Sequence, residues 1–211
     1  MKTDELIDLV SGDAATNRRP AGTLLRATLA TLLASALALL ATLGPRADLT
    51  AVLPSAPVLA KFALAAVAAV PAWLLLREAA RPEVRLAGRL RWFLVPLALA
   101  LGLALASLLG TPAGRWADSI RGHTLFACLL SIPLFASPIL AGLLWALRRA
   151  AVSDAARAGT LAGLCAGALS AFVYALHCVE DDPAFFGIWY SLGVIVVAVA
   201  GRAIGRRVLR W

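Results

Sequence analysis

Residues 177–190 read His177-Cys178-Val179-Glu180-Asp181-Asp182-Pro183-Ala184-Phe185-Phe186-Gly187-Ile188-Trp189-Tyr190. This polar and aromatic segment lies between two apolar runs, 158–177 and 184–205. Each run approaches or exceeds the ~20 helical residues that cross about 30 Å of hydrocarbon. In lipid the backbone must satisfy its own polar groups, so both runs read as helices and the segment between them as a tight connection at the membrane surface. Four further runs, 27–43, 57–76, 92–109 and 123–147, have the same character. The expected fold is an all-α, polytopic membrane bundle of six transmembrane helices.

Composition agrees. The chain has 211 residues, 61% of them hydrophobic and 15% charged, with a mean hydropathy of +0.84. Soluble domains carry about 25% charged residues. A net charge of +8 would suggest nucleic acid if it were clustered on one soluble face, but here the charges fall in short loops, as orientation signals do. Direct nucleic-acid binding is therefore not expected. Asp4, Glu5, Asp8 and Asp13 precede the first run where a signal peptide wants positive charge, so that run is expected to remain in the mature protein.

With the N-terminus inside, sixteen of the 20 Lys and Arg residues fall in inner segments and three, Arg46, Arg115 and Arg121, in outer loops. Lys61, near the outer end of the second run, is expected to snorkel outward. The bias follows the positive-inside rule and places both termini in the cytoplasm. Pro71, Pro96, Pro133 and Pro138 lie within runs and read as kinks. Gly159, Gly163 and Gly167 recur every four residues, a groove into which a neighbouring helix packs.

The quoted segment then becomes the mouth of an outward-facing site. Cys178 lies at the outer end of the fifth span and Cys128 one to two turns inside the outer end of the fourth. A short inner loop joins these spans, which makes them antiparallel neighbours. The two thiols could serve packing, form a disulfide in an oxidising compartment, or bind a soft metal with help from His177. Cys165 lies deeper and on the opposite face, and reads as a small buried hydrophobe. Asp182 and Pro183 read as N-cap and first residue of the sixth helix, which leaves Glu180 and Asp181 as the freer carboxylates. No cofactor is required. A transiently bound soft metal ion is the candidate signal, with Cys128, Cys178 and His177 as its ligands.

Residues 1–23 form a separate unit ahead of the membrane domain, 24–211. Thr3 can cap a short amphipathic helix with Asp4 and Glu5 in its first turn, Leu6, Leu9 and Val10 on one face, and Gly12 at its end. So short a helix orders only on a partner, here the groove of a soluble protein. The residues expected to meet that partner are Asp4, Leu6, Ile7, Leu9 and Val10.

The opening Lys2-Thr3-Asp4-Glu5-Leu6-Ile7-Asp8-Leu9, the pair Arg18-Arg19, the six spans, the run Cys128-Leu129-Leu130-Ser131-Ile132-Pro133-Leu134 and the closing Gly205-Arg206-Arg207-Val208-Leu209-Arg210-Trp211 resemble the NrsF family. Members are negative regulators of the extracytoplasmic-function sigma factor SigF. The resemblance covers the whole chain. It implies a bacterial inner-membrane anti-sigma factor whose cytoplasmic N-terminus holds a sigma factor away from RNA polymerase. It also implies that Cys128 and Cys178 correspond to a periplasmic cysteine pair linked to release under heavy-metal or oxidative stress. The rival reading is a small membrane transporter or metal-handling protein. An enzyme is not expected, because Cys-x-x-Cys, nucleophile-elbow and phosphate-loop patterns are lacking in the sequence.

Overall fold

The computed structural model describes residues 20–81, 87–150 and 152–209. The described residues are helical and contain no strand. Six long helices run Pro20–Thr42 (α1), Ala56–Ala79 (α2), Leu94–Leu109 (α3), Leu125–Leu147 (α4), Ala155–Tyr174 (α5) and Pro183–Val208 (α6). All six, with α3 and α4 counted together with their preceding turns, are long and apolar enough to cross a membrane. Residues 1–19, with the expected partner-binding Asp4, Leu6, Ile7, Leu9 and Val10, lie outside the described residues.

Helix α5 is the most enclosed and packs against α2, α4 and α6; α1 lies on α4, and α3 on α6. The reason is in the residues. On α5, a Cβ added to Gly159 would meet the Gly201 carbonyl of α6, and one added to Gly163 would meet the Val197 carbonyl. Gly201 and Gly205 answer from α6: a Cβ on either would strike the Gly159 backbone. Two glycine faces thus let the α5 and α6 backbones touch, the small-residue packing that replaces the hydrophobic effect where lipid is the solvent. The sequence reading found the α5 half of this seam but not its α6 half.

The outward faces are apolar. Leu25, Leu29, Leu33 and Leu37 run down an exposed stripe of α1, and Leu97, Leu101 and Leu105 down α3. Inside, two apolar clusters divide the bundle along its length. One holds Leu24, Leu75, Leu143, Leu147, Leu161 and Cys165. The other holds Cys128, Ile132, Tyr174, Cys178, Phe185 and Tyr190. We call the second half the thiol end and the opposite one, where α1 begins and α6 finishes, the arginine end. Helix α1, 23 residues long, spans about 34 Å, so the segment before Pro20 joins the bundle at the arginine end.

At Pro138 a hydroxyl repairs the backbone, and hydroxyls of neighbouring helices bond nearby carbonyls of α4. Pro138 of α4 cannot donate to the Leu134 carbonyl; Ser137 Oγ donates to it instead at 2.7 Å. The next carbonyl, of Phe135, accepts from Ser35 Oγ of α1 at 2.7 Å. Ser170 of α5 donates to the Ile132 carbonyl at 2.8 Å. Side chains from the same and neighbouring helices can thus satisfy a proline-bent helix in lipid.

Candidate functional site

Helix α5 stops at Tyr174, three residues short of the expected end. The Cys178 amide still reaches back to the Tyr174 carbonyl (3.0 Å), so the chain closes one more turn before leaving. His177 and Cys178 are therefore connection residues, and helical geometry no longer decides where Cys178 points. Burial does: Cys178 is 2% exposed and Cys128 fully buried. Cys128 sits in the first turn of α4, its amide donating to the Thr124 carbonyl. Both thiols are free and belong to one apolar cluster with Tyr174, Phe185, Phe186 and Tyr190. The Tyr174 and Tyr190 rings lie 6.2 Å apart. Cys165 belongs to the other cluster and is likewise buried.

The connection 175–182 is tied to most of the thiol end. The Arg46 amide donates to the Leu176 carbonyl at 3.0 Å. His177 Nδ1 donates to the Gly44 carbonyl at 2.9 Å. Glu180 accepts from the His123 amide at 2.6 Å. Asp182 caps α6 by accepting from the Ala184 amide, with Pro183 next in line, and also takes a bond from Ser107 Oγ of α3 at 2.7 Å. Trp189 Nε1 donates to the Ile120 carbonyl. The N-cap reading of Asp182 is thus confirmed and carries an extra link to α3.

Asp181 differs from its expectation. It is the focus of an ion cluster rather than a free carboxylate. Lys61 Nζ donates to Asp181 Oδ1 at 2.7 Å and to the Cys178 carbonyl at 3.1 Å. Arg46 donates to both Asp181 oxygens, at 2.8 and 2.9 Å, and to the same Cys178 carbonyl at 3.2 Å. Its other edge holds Asp48 at 2.7 and 3.0 Å. Lys61 does not snorkel: it is wholly buried. Snorkelling serves a lysine that lacks a partner, whereas here a carboxylate and a carbonyl are brought to the ammonium, which offsets desolvation. In the loop, the hydrogen bonds that Arg46 donates to Asp48 hold the Asp48 carboxyl below its ordinary range and raise the Arg46 guanidinium. The signal in the sequence was Lys61 itself, an ionisable residue within an apolar run, which by default marks a site.

The Cys178 carbonyl and the neighbouring Asp181 are therefore gripped by two cations, one from α2 and one from the α1–α2 connection. Whatever moves Cys178 must move this grip. Among the described residues no three His, Cys, Asp or Glu side chains are gathered as a metal-holding group. The chemistry on hand is that of two buried thiols, the donor type that soft ions prefer.

A family model described as negative regulator of sigma F, NrsF, matches residues 9–211. The chain belongs to the NrsF family. Its similarity to the anti-sigma-F factor NrsF of Caulobacter vibrioides (strain NA1000 / CB15N) extends over all of both chains at 30% identity. A probable anti-sigma-F factor NrsF of Azospira oryzae (strain ATCC BAA-33 / DSM 13638 / PS) is 40% identical over 90 residues, 43% of this chain and 42% of that one. No solved structure matches the chain. NrsF membership puts the chain among regulatory proteins rather than enzymes.

Proposed function

We propose that the chain is an inner-membrane anti-sigma factor, which sequesters a sigma factor of the extracytoplasmic-function type through its cytoplasmic N-terminal peptide. A thiol event at Cys128 and Cys178, on the periplasmic side, releases it. Heavy metal or oxidant supplies the event. His177 assists as a metal ligand when the connection opens. The partner surface is Asp4, Leu6, Ile7, Leu9 and Val10, and both termini face the cytoplasm.

One observation carries the reading: the two thiols share a buried cluster at the end of the bundle remote from the N-terminal segment. Separation along α1 suits a device that receives chemistry on one side of the lipid and acts on the other. Family membership supports the anti-sigma role, and the positive-inside bias supports the orientation. Charge placement counts against a transporter, because among the described residues the buried basic groups, Lys61 and Arg46, both belong to the thiol-end ion cluster rather than a path through the middle.

Energetics allow it. Shifting a two-state equilibrium from 1:99 to 99:1 takes about 5.5 kcal/mol. A disulfide contributes about 2–4 kcal/mol and thiolate–metal binding more. Either replaces two free buried thiols by a bridged pair, which suits an altered arrangement of α4 and the 175–182 connection. Disulfide formation removes two protons and two electrons from the pair and needs an oxidant of the compartment to accept them.

The test has two arms. Residues 1–23 fused to a soluble carrier should capture a sigma factor from lysate, and the full chain should lose it when metal or oxidant is added outside. If the peptide captures no sigma factor, the anti-sigma half of the proposal is wrong. If Cys128→Ser and Cys178→Ser chains still release normally, the sensing half is wrong.

A further inference from the structure

Away from the thiols, α2 and the turn that leads into α3 border two adjoining cavities that share Trp92 as a wall. One, of about 380 Å³, is apolar and is lined by Val67, Val70, Pro71 and Val95. The other, of about 290 Å³, is lined by Leu74, Arg77, Glu78 and Arg81. On α2 these residues recur every three or four positions, so they form one stripe that turns from apolar to charged. Val70 and Val95 are about 60% exposed, and Trp92 41%.

We propose that this groove binds one anionic glycerophospholipid, phosphatidylglycerol, with an acyl chain along the apolar part and its headgroup at Arg77 and Arg81. Three independent features select that occupant. The first is length. Helix α2 covers Ala56–Ala79, so Val67 lies at its midpoint. The ten residues from there to Arg77 rise about 15 Å, half of the ~30 Å hydrocarbon thickness. The groove therefore runs from mid-membrane to headgroup level, the reach of one acyl chain in one leaflet. The second is charge. Glu78 is taken up by an ion pair with Arg89, and among the described residues no carboxylate pairs with Arg77 or Arg81, which line the cavity where a phosphate would sit. Basic pockets between membrane helices hold anionic headgroups in this way. The third is a donor requirement. Glu78 Oε2 is buried without a hydrogen-bond partner among the described residues. A glycerol headgroup brings hydroxyl donors and an ethanolamine headgroup ammonium donors, whereas a choline headgroup has none; net negative charge then separates the glycerol lipid from the ethanolamine one.

The experiment uses the full chain in nanodiscs of phosphatidylglycerol mixed with phosphatidylcholine or phosphatidylethanolamine, with retained lipid counted by native mass spectrometry. A phosphatidylglycerol carrying a diazirine on its acyl chain reports the location. Wild type should enrich phosphatidylglycerol on the order of tenfold over either competitor, from two arginine contacts. Photoproducts should map to 66–71 and 92–95. Arg77→Gln with Arg81→Gln should abolish the preference, and Val70→Trp, which fills the groove but keeps both arginines, should lose the photoproducts. Arg115→Gln, at the thiol end, should change neither. Equal retention of the three lipids by wild type overturns the proposal. So do photoproducts elsewhere, or a preference unchanged by the arginine pair. Cross-linking of two copies through these positions overturns it in favour of a self-interface. If the arginine pair fails to fold, the wild-type preference and the Val70→Trp map decide alone.

Discussion

Lys61 Nζ and Asp181 Oδ1 meet at 2.7 Å, which joins the second helix to the connection between the fifth and sixth. Lys61 is fully buried and the Asp181 side chain 28% exposed. The buried ammonium donates to this carboxylate and to the Cys178 carbonyl beside it. The pair therefore acts as a latch on the residue that carries the thiol.

Removing the carboxylate should hurt more than removing the amine. Asp181→Asn leaves a buried cation unpaired, a loss of up to about 3–5 kcal/mol, with the exposure of Asp181 putting it at the lower end. Lys61→Met leaves Asp181 still held by Arg46 and should cost less. The double variant Lys61→Met with Asp181→Asn should recover most of the stability. Thermal unfolding in detergent checks the order, and maleimide labelling of Cys178 should accelerate most in Asp181→Asn. If Lys61→Met proves the worst of the three, the latch is wrongly assigned.

The six helices were legible because apolar length is a local property. Five of the six spans fell within three residues of the helix ends, whereas the first helix begins at Pro20, seven residues before the apolar run that marked it; Asp182 was readable as a cap from its place before Pro183. What sequence did not reveal was pairing between distant elements. Gly201 and Gly205 mean little until Gly159 is set against them. Asp181 seemed free because nothing near it in the chain is basic; its partners lie 120 and 135 residues away. Lys61 was misread for the same reason, since snorkelling follows from the residue alone and burial from a partner. Cys178 was read as part of an outward-facing mouth and came out buried, because the helix ends four residues before it and the connection folds back over the thiol.

The cysteines divide by cluster, and the variants should divide likewise. Cys128→Ser and Cys178→Ser should each abolish release of the partner by metal or oxidant. Cys165→Ala, in the other cluster, should leave release unchanged. A reporter gene driven by the captured sigma factor reads all three. Loss of response in Cys165→Ala alone would move the sensor to the arginine half of the bundle.

The glycine seam predicts opposite outcomes for one chemical change. Gly159→Ala puts a methyl into the Gly201 carbonyl, and Gly201→Ala does the reverse. Overpacking of this kind costs about 1–3 kcal/mol. Gly102→Ala on α3 meets nothing within 4 Å and should keep or slightly raise stability, because Ala favours helix. Melting temperatures in one detergent compare them. Three equal losses would mean the α5–α6 contact is looser than described.

The Arg46–Asp48 pair gives a pH signature. Its hydrogen bond holds Asp48 below the ordinary carboxyl value, so the stabilisation is present above about pH 3.9 and is lost as pH falls through the lower folded value. The melting temperature of Asp48→Asn should therefore trail wild type by a constant gap from pH 8 to pH 5. The gap should close only in more acidic buffer. A gap that narrows between pH 8 and 6 would point to a different group.

Ser137 and Pro138 form a pair that a double-mutant cycle can isolate. In wild type the Leu134 carbonyl lacks its helical donor because residue 138 is proline, and Ser137 Oγ supplies one at 2.7 Å. Ser137→Ala should then cost about 0.6–1.7 kcal/mol, the range found for polar hydrogen bonds in membrane helices. In a Pro138→Ala background the backbone amide returns to that carbonyl, and the same Ser137→Ala change should cost close to nothing. Unfolding of the four proteins in mixed detergent micelles closes the cycle. A coupling near zero would mean that the hydroxyl does not replace the missing donor, and that packing against α1 and α5 holds α4 together at Pro138 instead.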